Sequence, residues 1–278
     1  YLDSLSRVVP EPAASFLGGL TVGARKAIPS GVMDDFRVAG TLHMLVLSGY
    51  NVTIVASVLG ALVPAVFPMA VRMATGLGGI LVFALLAGAS STVVRASIMA
   101  AILYGAGLTG RVYDARRALW FAGFLMLVWN PKLLRFDLSF QLSFLATLGL
   151  LYVAPHLEKF FRWLPKRFGL REYGVATTAA QIAVTPLLLH AMGTVSLVAF
   201  PANILALGAV PAAMLAGFLA GALGLLSAAL ATPVAWFAYA LSSYELGIMH
   251  FFASLPSAQI FIGRIPGVAM FSAYIVLG

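Results

Sequence analysis

The stretch GTLHMLVLSGYNVTIVASVLGALV, residues 40–63, is an apolar run long enough to cross a membrane as a helix. About 20 apolar residues are needed for such a span. His43, Ser48 and Asn51 interrupt the run near its beginning, where lipid offers them no hydrogen-bond partner. Polar side chains in a span either hydrogen-bond between helices or face a polar cavity. The stretch therefore predicts a membrane-embedded helical fold, and both interpretations of its polar residues stay open.

Composition supports a membrane protein. Of the 278 residues, 62% are hydrophobic and 9% are charged, whereas a soluble domain carries about 25% charged residues. The absence of cysteine excludes disulfides, thiolate metal sites and a cysteine nucleophile. The net charge of +8 is compatible with anionic lipid, with basic cytoplasmic loops or with an anionic passenger.

Apolar runs recur along the whole chain. We predict spans near residues 41–63, 70–88, 92–109, 116–130, 138–154, 175–192, 199–226 and 231–252, with an incomplete one from 268. Glycine and proline interrupt several of them, and Pro186 is expected to kink or break its span. Irregular backbone at membrane depth requires protein or water to satisfy it. The expected fold is an all-α polytopic membrane bundle with broken or re-entrant helices.

The two ends of the chain differ from this core. Residues 1–38 mix apolar and charged side chains, which predicts amphipathic helices lying in the membrane interface. Residues 39–278 form the predicted transmembrane domain. The sequence begins without Met and ends in an apolar run of about half the ~20 residues of a span. We therefore expect the membrane core of a longer protein, with C-terminal truncation and soluble domains elsewhere in that protein.

Loop charge predicts an orientation. The segments RVYDARR (111–117) and HLEKFFRWLPKRFGLRE (156–172) hold most of the basic loop residues. Two predicted spans separate them, so both lie on one face, which the positive-inside rule makes cytoplasmic. The N-terminal segment then lies outside, where Arg25, Lys26 and Arg37 form a predicted outer basic patch.

Arg95 is the most unusual residue of the predicted spans. A charge at that depth costs several kcal/mol unless it is paired or hydrated. One interpretation is a side chain that reaches the outer interface, and the other is a permanent cation facing an aqueous path. Asp137 and Glu245 are acids that could neutralise it.

Other polar residues in or beside the predicted spans could line the same polar cavity. Asp137 and Gln141 are four residues apart and share a helix face. Arg111 follows a glycine near Asp114, and a guanidinium group suits phosphate geometry. The predicted channel-lining or ligand-contacting residues are His43, Ser48, Asn51, Arg95, Arg111, Asp137, Gln141, Gln181 and Asn203, with Arg116 and Arg117 at a cytoplasmic exit.

Catalytic and metal motifs are missing from the sequence. There is no HExxH, GxSxG or Walker loop, and the four histidines are scattered. We expect no enzymatic activity, no metal site and no cofactor in this chain.

The order of motifs resembles the competence domain of the ComEC family of DNA-uptake channels. GTLHMLVLSGYNV is similar to a signature of that family, although many members carry His where this chain has Asn51. The resemblance continues through VVRASIMAAILYGAGLTGRVYDARRAL, WNPKLLRFDLSFQLSFLATLGLLYVAP, AQIAVTPLLLHAMGTVSLVAFPANILALGAVP and FFASLP, from about Pro10 to Pro256.

This resemblance implies transport of single-stranded DNA across the bacterial cytoplasmic (inner) membrane during natural transformation. It also implies an outer OB-type domain and a metallo-β-lactamase-like nuclease domain, neither of which fits in this chain. Implied partners are single-stranded DNA, membrane lipids, an outer DNA receptor, a cytoplasmic motor or single-strand-binding protein, and the soluble domains of the same longer chain. Two alternatives stay open: a secondary transporter for a small anion or metabolite, and a scaffold that transports nothing.

Overall fold

A computed structural model describes residues 1–45, 52, 67–165 and 169–277, so Ser48 and Asn51 lie outside the described residues. The described part is almost entirely helical, as the sequence predicts. The helices are α1 Leu2–Val8, α2 Ala13–Val22, α3 Ser30–Val38, α4 Leu42–Leu45, α5 Met69–Leu86, α6 Ser91–Thr109, α7 Ala115–Trp129, α8 Leu133–Phe136, α9 Leu138–Leu148, α10 Ala154–Leu157, α11 Leu170–Ala191, α12 Ala199–Leu207, α13 Val210–Leu226, α14 Ala228–Ala253 and α15 Gly267–Leu277. Arg25–Ala27 is a 3-10 turn, and the π-helical segment Gly149–Val153 joins α9 to α10.

Two short strands accompany the helices. Strand β1, Thr194–Ser196, pairs antiparallel with β2, Gln259–Phe261, with Thr194 opposite Phe261. The pair ties the segment after α11 to the segment before α15.

Some helices have the length and composition of membrane spans. Leu138–Leu157 and Leu170–Ala191 are each long and apolar enough to cross a membrane. Helices α12 and α13 meet at an angle of 51° and form a third span if they are counted together. This bend confirms the break that Gly and Pro predict within 199–226. Pro186, by contrast, lies inside α11 without ending it, so the predicted interruption there does not occur.

The chain divides into two compact units. Unit 1 comprises Tyr1–Val46 and Leu145–Gly278, and unit 2 comprises Leu47–Phe144. In unit 1, α13 and α14 form the central pair, and α1, α2 and α3 pack against them. The buried face of α14 consists largely of small residues, namely Ala231, Ala235, Ala238 and Ser242. Small residues allow helices to pack closely.

The N-terminal residues contribute to this core. Phe16, Leu17 and Leu20 of α2 and Phe36 of α3 are fully buried in unit 1. Burial of large apolar side chains stabilises each by about 1.5–3 kcal/mol. The N-terminal helices are thus an integral layer of unit 1, and their position in the membrane interface stays a prediction.

In unit 2, α6 packs against both α5 and α7. The side chain of Asp114 begins α7 by accepting hydrogen bonds from the backbone N–H groups of Arg116 and Arg117, the usual role of an Asp N-cap. Helix α7 buries Ala122 and Gly123 but exposes Trp120 and Phe124. An exposed aromatic face of this kind suits contact with lipid.

Candidate functional site

Four polar side chains connect α6 to the beginning of α9 in unit 2. The Ser91 hydroxyl donates to the carboxylate of Asp137, and Nε of Arg95 donates to Oγ of Ser143 at 2.8 Å. Ser91 and Arg95 are one helical turn apart, so the two contacts lie one above the other. We call Ser91, Arg95, Asp137 and Ser143 the polar ladder. It brings together Arg95 and Asp137, two residues that the sequence singles out.

Arg95 is buried within unit 2. Its side chain is 8% exposed, and its Nη1 lies 3.2 Å from the Sδ atom of Met99. Among the described residues, neither Asp137 nor Glu245 forms an ion pair with it. The described residues therefore include no acid that pairs with Arg95. The hydrogen-bond partners of Arg95 are neutral, and Asp137 binds Ser91 instead. A guanidinium group held in this way keeps its positive charge.

Tyr113 lies close enough to Arg95 for the two to interact electrostatically. Burial raises the pKa of the Tyr113 phenol, and the positive charge of Arg95 partly opposes that rise. Tyr113 follows α6 in the loop that also holds Arg111. The sequence prediction omitted Tyr113 and Ser91, although Tyr113 stands inside the basic RVYDARR segment.

Asp137 and Gln141 hold the joint between α8 and α9. Oδ1 of Asp137 accepts a hydrogen bond from the backbone N–H of Phe140 at 3.1 Å, as an N-cap does. Nε2 of Gln141 donates to the carbonyl oxygens of Leu134 at 2.8 Å and Arg135 at 3.3 Å. Both side chains thus have a structural role, and their exposure to a transport path stays a prediction.

The three arginines of the basic loop are exposed. Arg111 follows Gly110, which ends α6 with a left-handed φ of 65°. Nε of Arg117 lies 3.4 Å from the carboxylate of Asp114, in a pair that is largely solvent-exposed. Such a pair stabilises the fold by less than about 1 kcal/mol. Arg111, Arg116 and Arg117 are therefore accessible to an anionic ligand.

Gln181 borders an open cavity on the surface of unit 1, which has a volume of about 860 Å³. The rings of Phe161 and Phe200 line the same cavity with their centroids 5.9 Å apart. The hydroxyls of Thr178 and Thr185 also face it, but each donates to a carbonyl oxygen of α11 one turn earlier. Ser272 lines the cavity too, and its hydroxyl donates to the carbonyl oxygen of Val268. The Gln181 amide and the free lone pairs of these hydroxyls are the polar groups that the wall offers to a ligand.

Asn203 and His43 lie elsewhere in unit 1. Asn203 is 4% exposed on α12, and its Oδ1 atom is buried with no hydrogen-bond partner in the described ranges. His43 lies on α4, directly before the undescribed residues 46–51. Neither of them lines the Gln181 cavity, so the structure does not gather the three predicted residues of this unit at one place.

The predicted outer basic patch is partly engaged within the protein. Arg37 pairs with Asp34 on the exposed surface of α3. Arg25 and Lys26 lie in the 3-10 turn before that helix, and burial lowers the pKa of Arg25. Lys26 is exposed. In the ranges that the structure describes, His, Asp and Glu side chains form no cluster of three or more able to hold a metal ion.

The apolar helices, with buried polar side chains between them, define an α-helical membrane protein. The chain belongs to the Competence protein family, whose model matches residues 20–278. This match confirms the family resemblance that the motif order indicates.

Two relatives show how much of the chain is shared. ComE operon protein 3 of Bacillus subtilis (strain 168) is 24% identical over 224 residues, which cover 78% of this chain and 27% of that protein. An uncharacterized protein of Aquifex aeolicus (strain VF5) is 32% identical over 136 residues, covering 49% of this chain and 32% of the relative. The chain thus matches between a quarter and a third of the length of these relatives. No solved structure matches it significantly.

Proposed function

We propose that this chain is the membrane-embedded part of a DNA-uptake protein and that one DNA strand crosses the bacterial cytoplasmic membrane through it during natural transformation. Membership of the Competence protein family supports a role in DNA uptake. The sequence supports a multi-pass arrangement, with residues 39–278 as the transmembrane domain. Membrane lipids, single-stranded DNA and the soluble domains of the same longer protein are the expected partners.

Arg95 carries the channel proposal. Its guanidinium group is buried, is held by the neutral Ser143 hydroxyl and forms no ion pair among the described residues. A fixed cation at membrane depth is costly, and residues of this kind commonly mark ion or substrate pathways. A DNA strand carries one negative charge per nucleotide, so a retained positive charge offers it an attractive contact. A single cation also avoids the tight binding that many phosphate contacts produce.

The Gln181 cavity of unit 1 supports the same proposal independently. Phe161 and Phe200 present aromatic rings, and bases of every type stack on aromatic side chains. The amide of Gln181 provides both a donor and an acceptor for the edge of a base. Base stacking together with one amide contact binds a DNA strand without strong sequence preference. A path for DNA of any sequence requires this property.

The exposed basic loop supports contacts with phosphate. Arg111, Arg116 and Arg117 are accessible, and guanidinium groups bind phosphate oxygens in a bidentate manner. We place this loop at the cytoplasmic exit because of its positive charge. An outer receptor and a cytoplasmic motor or single-strand-binding protein then deliver and remove the strand. Transport in this form needs no catalytic residue in the chain.

The experiment is entry of labelled single-stranded DNA into liposomes that contain the full-length protein. External nuclease removes all DNA that has not entered. We expect protected single-stranded DNA in protein-containing vesicles, and none with duplex DNA of the same length or in empty vesicles. Folded and correctly oriented protein that takes up a small anion but protects no DNA would overturn the proposal in favour of a secondary transporter. Vesicles that take up neither would support a scaffold.

A further inference from the structure

Glu245 is a completely buried acid in the core of unit 1. It lies on α14 with 0% exposure, and among the described residues neither of its carboxylate oxygens has a hydrogen-bond partner. We propose that Glu245 is a proton-binding site and that folded unit 1 holds it as a neutral carboxylic acid. Glu245 does not line the Gln181 cavity, so this site is distinct from that part of the proposed DNA path.

The nearest hydroxyl on the same helix face is already engaged. Ser242 precedes Glu245 by three residues and shares its buried face. Oγ of Ser242 donates to the carbonyl oxygen of Ala238 at 2.5 Å, so its hydrogen points back along α14. Ala238 and Ala235 continue this face with side chains that carry no polar atom. The helix that carries Glu245 therefore offers it no donor.

Hydroxyl groups on neighbouring segments are engaged as well. Oγ1 of Thr41 lies 3.3 Å from the carbonyl oxygen of Phe36 and 3.0 Å from Sδ of Met249. The Tyr244 hydroxyl, on the adjacent residue of α14, donates to the carbonyl oxygen of Leu205 at 3.2 Å. None of these donors reaches the carboxylate.

The charged groups around α14 do not neutralise Glu245 either. Of the helices that pack most against α14, three carry no ionisable side chain: α2, α12 and α13. Asp3 and Arg7 of α1 are exposed. On α3, Asp34 pairs with Arg37, and Asp35 accepts from His250 of α14 at 3.0 Å. Among the described residues, the other ionisable groups near this core are His43 of α4 and the phenols of Tyr1, Tyr239 and Tyr244, and none of them hydrogen-bonds to Glu245.

An isolated carboxylate in such surroundings does not remain charged. Removing an ionised carboxylate from water without a partner is so costly that the group takes up a proton instead. A metal cation would need several oxygen ligands. In the described ranges, Oδ1 of Asn203 is the one further unpartnered acceptor on a helix packed against α14, and no group of three or more His, Asp or Glu side chains able to hold a metal ion is found there. The proton is therefore the ligand that this site accepts.

Proton binding makes the stability of unit 1 depend on pH. A proton that folded unit 1 holds and the unfolded chain releases stabilises the fold at low pH, and this contribution is lost as pH rises. Release requires water to reach the carboxyl group, and hence separation of the helices around α14.

Infrared spectroscopy of the full chain in lipid nanodiscs tests the site directly. A protonated carboxyl group absorbs apart from ionised carboxylates, and its band shifts in heavy water. At neutral pH we expect such a band in the wild type, lost in Glu245→Gln and retained in Glu172→Gln, which alters an exposed acid of the same unit. Titration to alkaline pH should ionise Glu245 and remove the wild-type band. Sodium ions added at neutral pH should leave the band unchanged.

Wild-type protein without this band at neutral pH would show that Glu245 is ionised and would overturn the proposal. Thermal unfolding provides a second measurement. We expect the unfolding temperature of the wild type to fall between pH 5 and pH 9 more steeply than that of Glu245→Gln. If Glu245→Gln does not fold, the loss of the wild-type band on alkaline titration still decides the question.

Discussion

Units 1 and 2 each bury an ionisable side chain, and they accommodate it differently. In unit 2, Arg95 keeps its charge and donates to Ser143 at 2.8 Å. In unit 1, the two carboxylate oxygens of Glu245 have no hydrogen-bond partner in the part of the chain that the structure describes. Arginine cannot give up its proton at accessible pH, whereas an acid can take one up. The permanent charge of Arg95 therefore requires polar partners such as those of the polar ladder, whereas Glu245 can become neutral and does not require them.

The two units also contain glycines that differ in how closely neighbouring atoms approach them. In unit 1, a Cβ added at Gly149 would lie 2.5 Å from the carbonyl oxygen of Ala179 on α11. In unit 2, a Cβ at Gly105 of α6 would meet no atom within 4 Å. Close helix contact of the first kind depends on a small residue, so the two positions should respond differently to an added methyl group.

The largest change in stability is expected from Gly149→Ala. The new methyl group would overlap backbone of α11, and overpacking of this kind typically costs about 1–3 kcal/mol. Thermal and denaturant unfolding of the purified protein measure the loss.

Gly105→Ala is the matched control, and we expect it to be neutral or stabilising by about 0.5–1 kcal/mol, because the site is open and Ala favours helix. Equal stability of the two variants would mean that α11 does not approach Gly149 as closely as the structure shows.

A smaller loss is expected from Asp137→Ala. This change removes the acceptor for the Phe140 N–H and for the Ser91 hydroxyl. Loss of an N-cap costs about 1 kcal/mol, with a range of 0.5–2. Asp137→Asn retains an acceptor oxygen and should lose less than half as much in the same unfolding measurement. A fully stable Asp137→Ala would show that the polar ladder does not hold α6 to α9.

The smallest structural change is expected at Gln181. Because this chain contains no cysteine, Gln181→Cys introduces a single thiol at the cavity wall. We expect it to react with a water-soluble thiol reagent on the order of tenfold faster than Ala179→Cys, since Ala179 is 0% exposed on the same helix and thiol reactivity follows exposure and ionisation. Single-stranded DNA should slow the reaction at residue 181. Equal rates at both positions would place Gln181 outside an aqueous path.

The sequence predicts the helical class correctly, and the bend between α12 and α13 agrees with the predicted broken helices, because apolar runs, Gly and Pro act locally. Pro186 is the exception: α11 continues through it, and Pro186 and Ile182 both border the large cavity. Ile182 is the residue whose carbonyl loses its donor, four positions before the proline. Irregular hydrogen bonding is tolerated in a span where the backbone borders a cavity.

The partners of the buried polar residues were beyond prediction from sequence. Arg95 stood out by its position in an apolar run, but its contact with Ser143 joins residues 48 positions apart. Glu245 was suggested as an acid for Arg95, because each is a charge in an apolar segment. Only the three-dimensional fold shows that the nearby donors are engaged elsewhere. Ser48 and Asn51 lie outside the described residues, so their place in the path stays a prediction.

The proposed path depends most on the positive charge of Arg95. The direct test compares Arg95→Ala, Arg95→Lys and Arg7→Ala in the vesicle-entry assay, with folding of each variant checked by thermal unfolding. Arg7 is an exposed arginine of α1 and serves as the control. We expect entry of single-stranded DNA to be lost in Arg95→Ala, partly retained in Arg95→Lys and unchanged in Arg7→Ala. Full entry through folded Arg95→Ala would contradict the claim that a buried cation guides the strand.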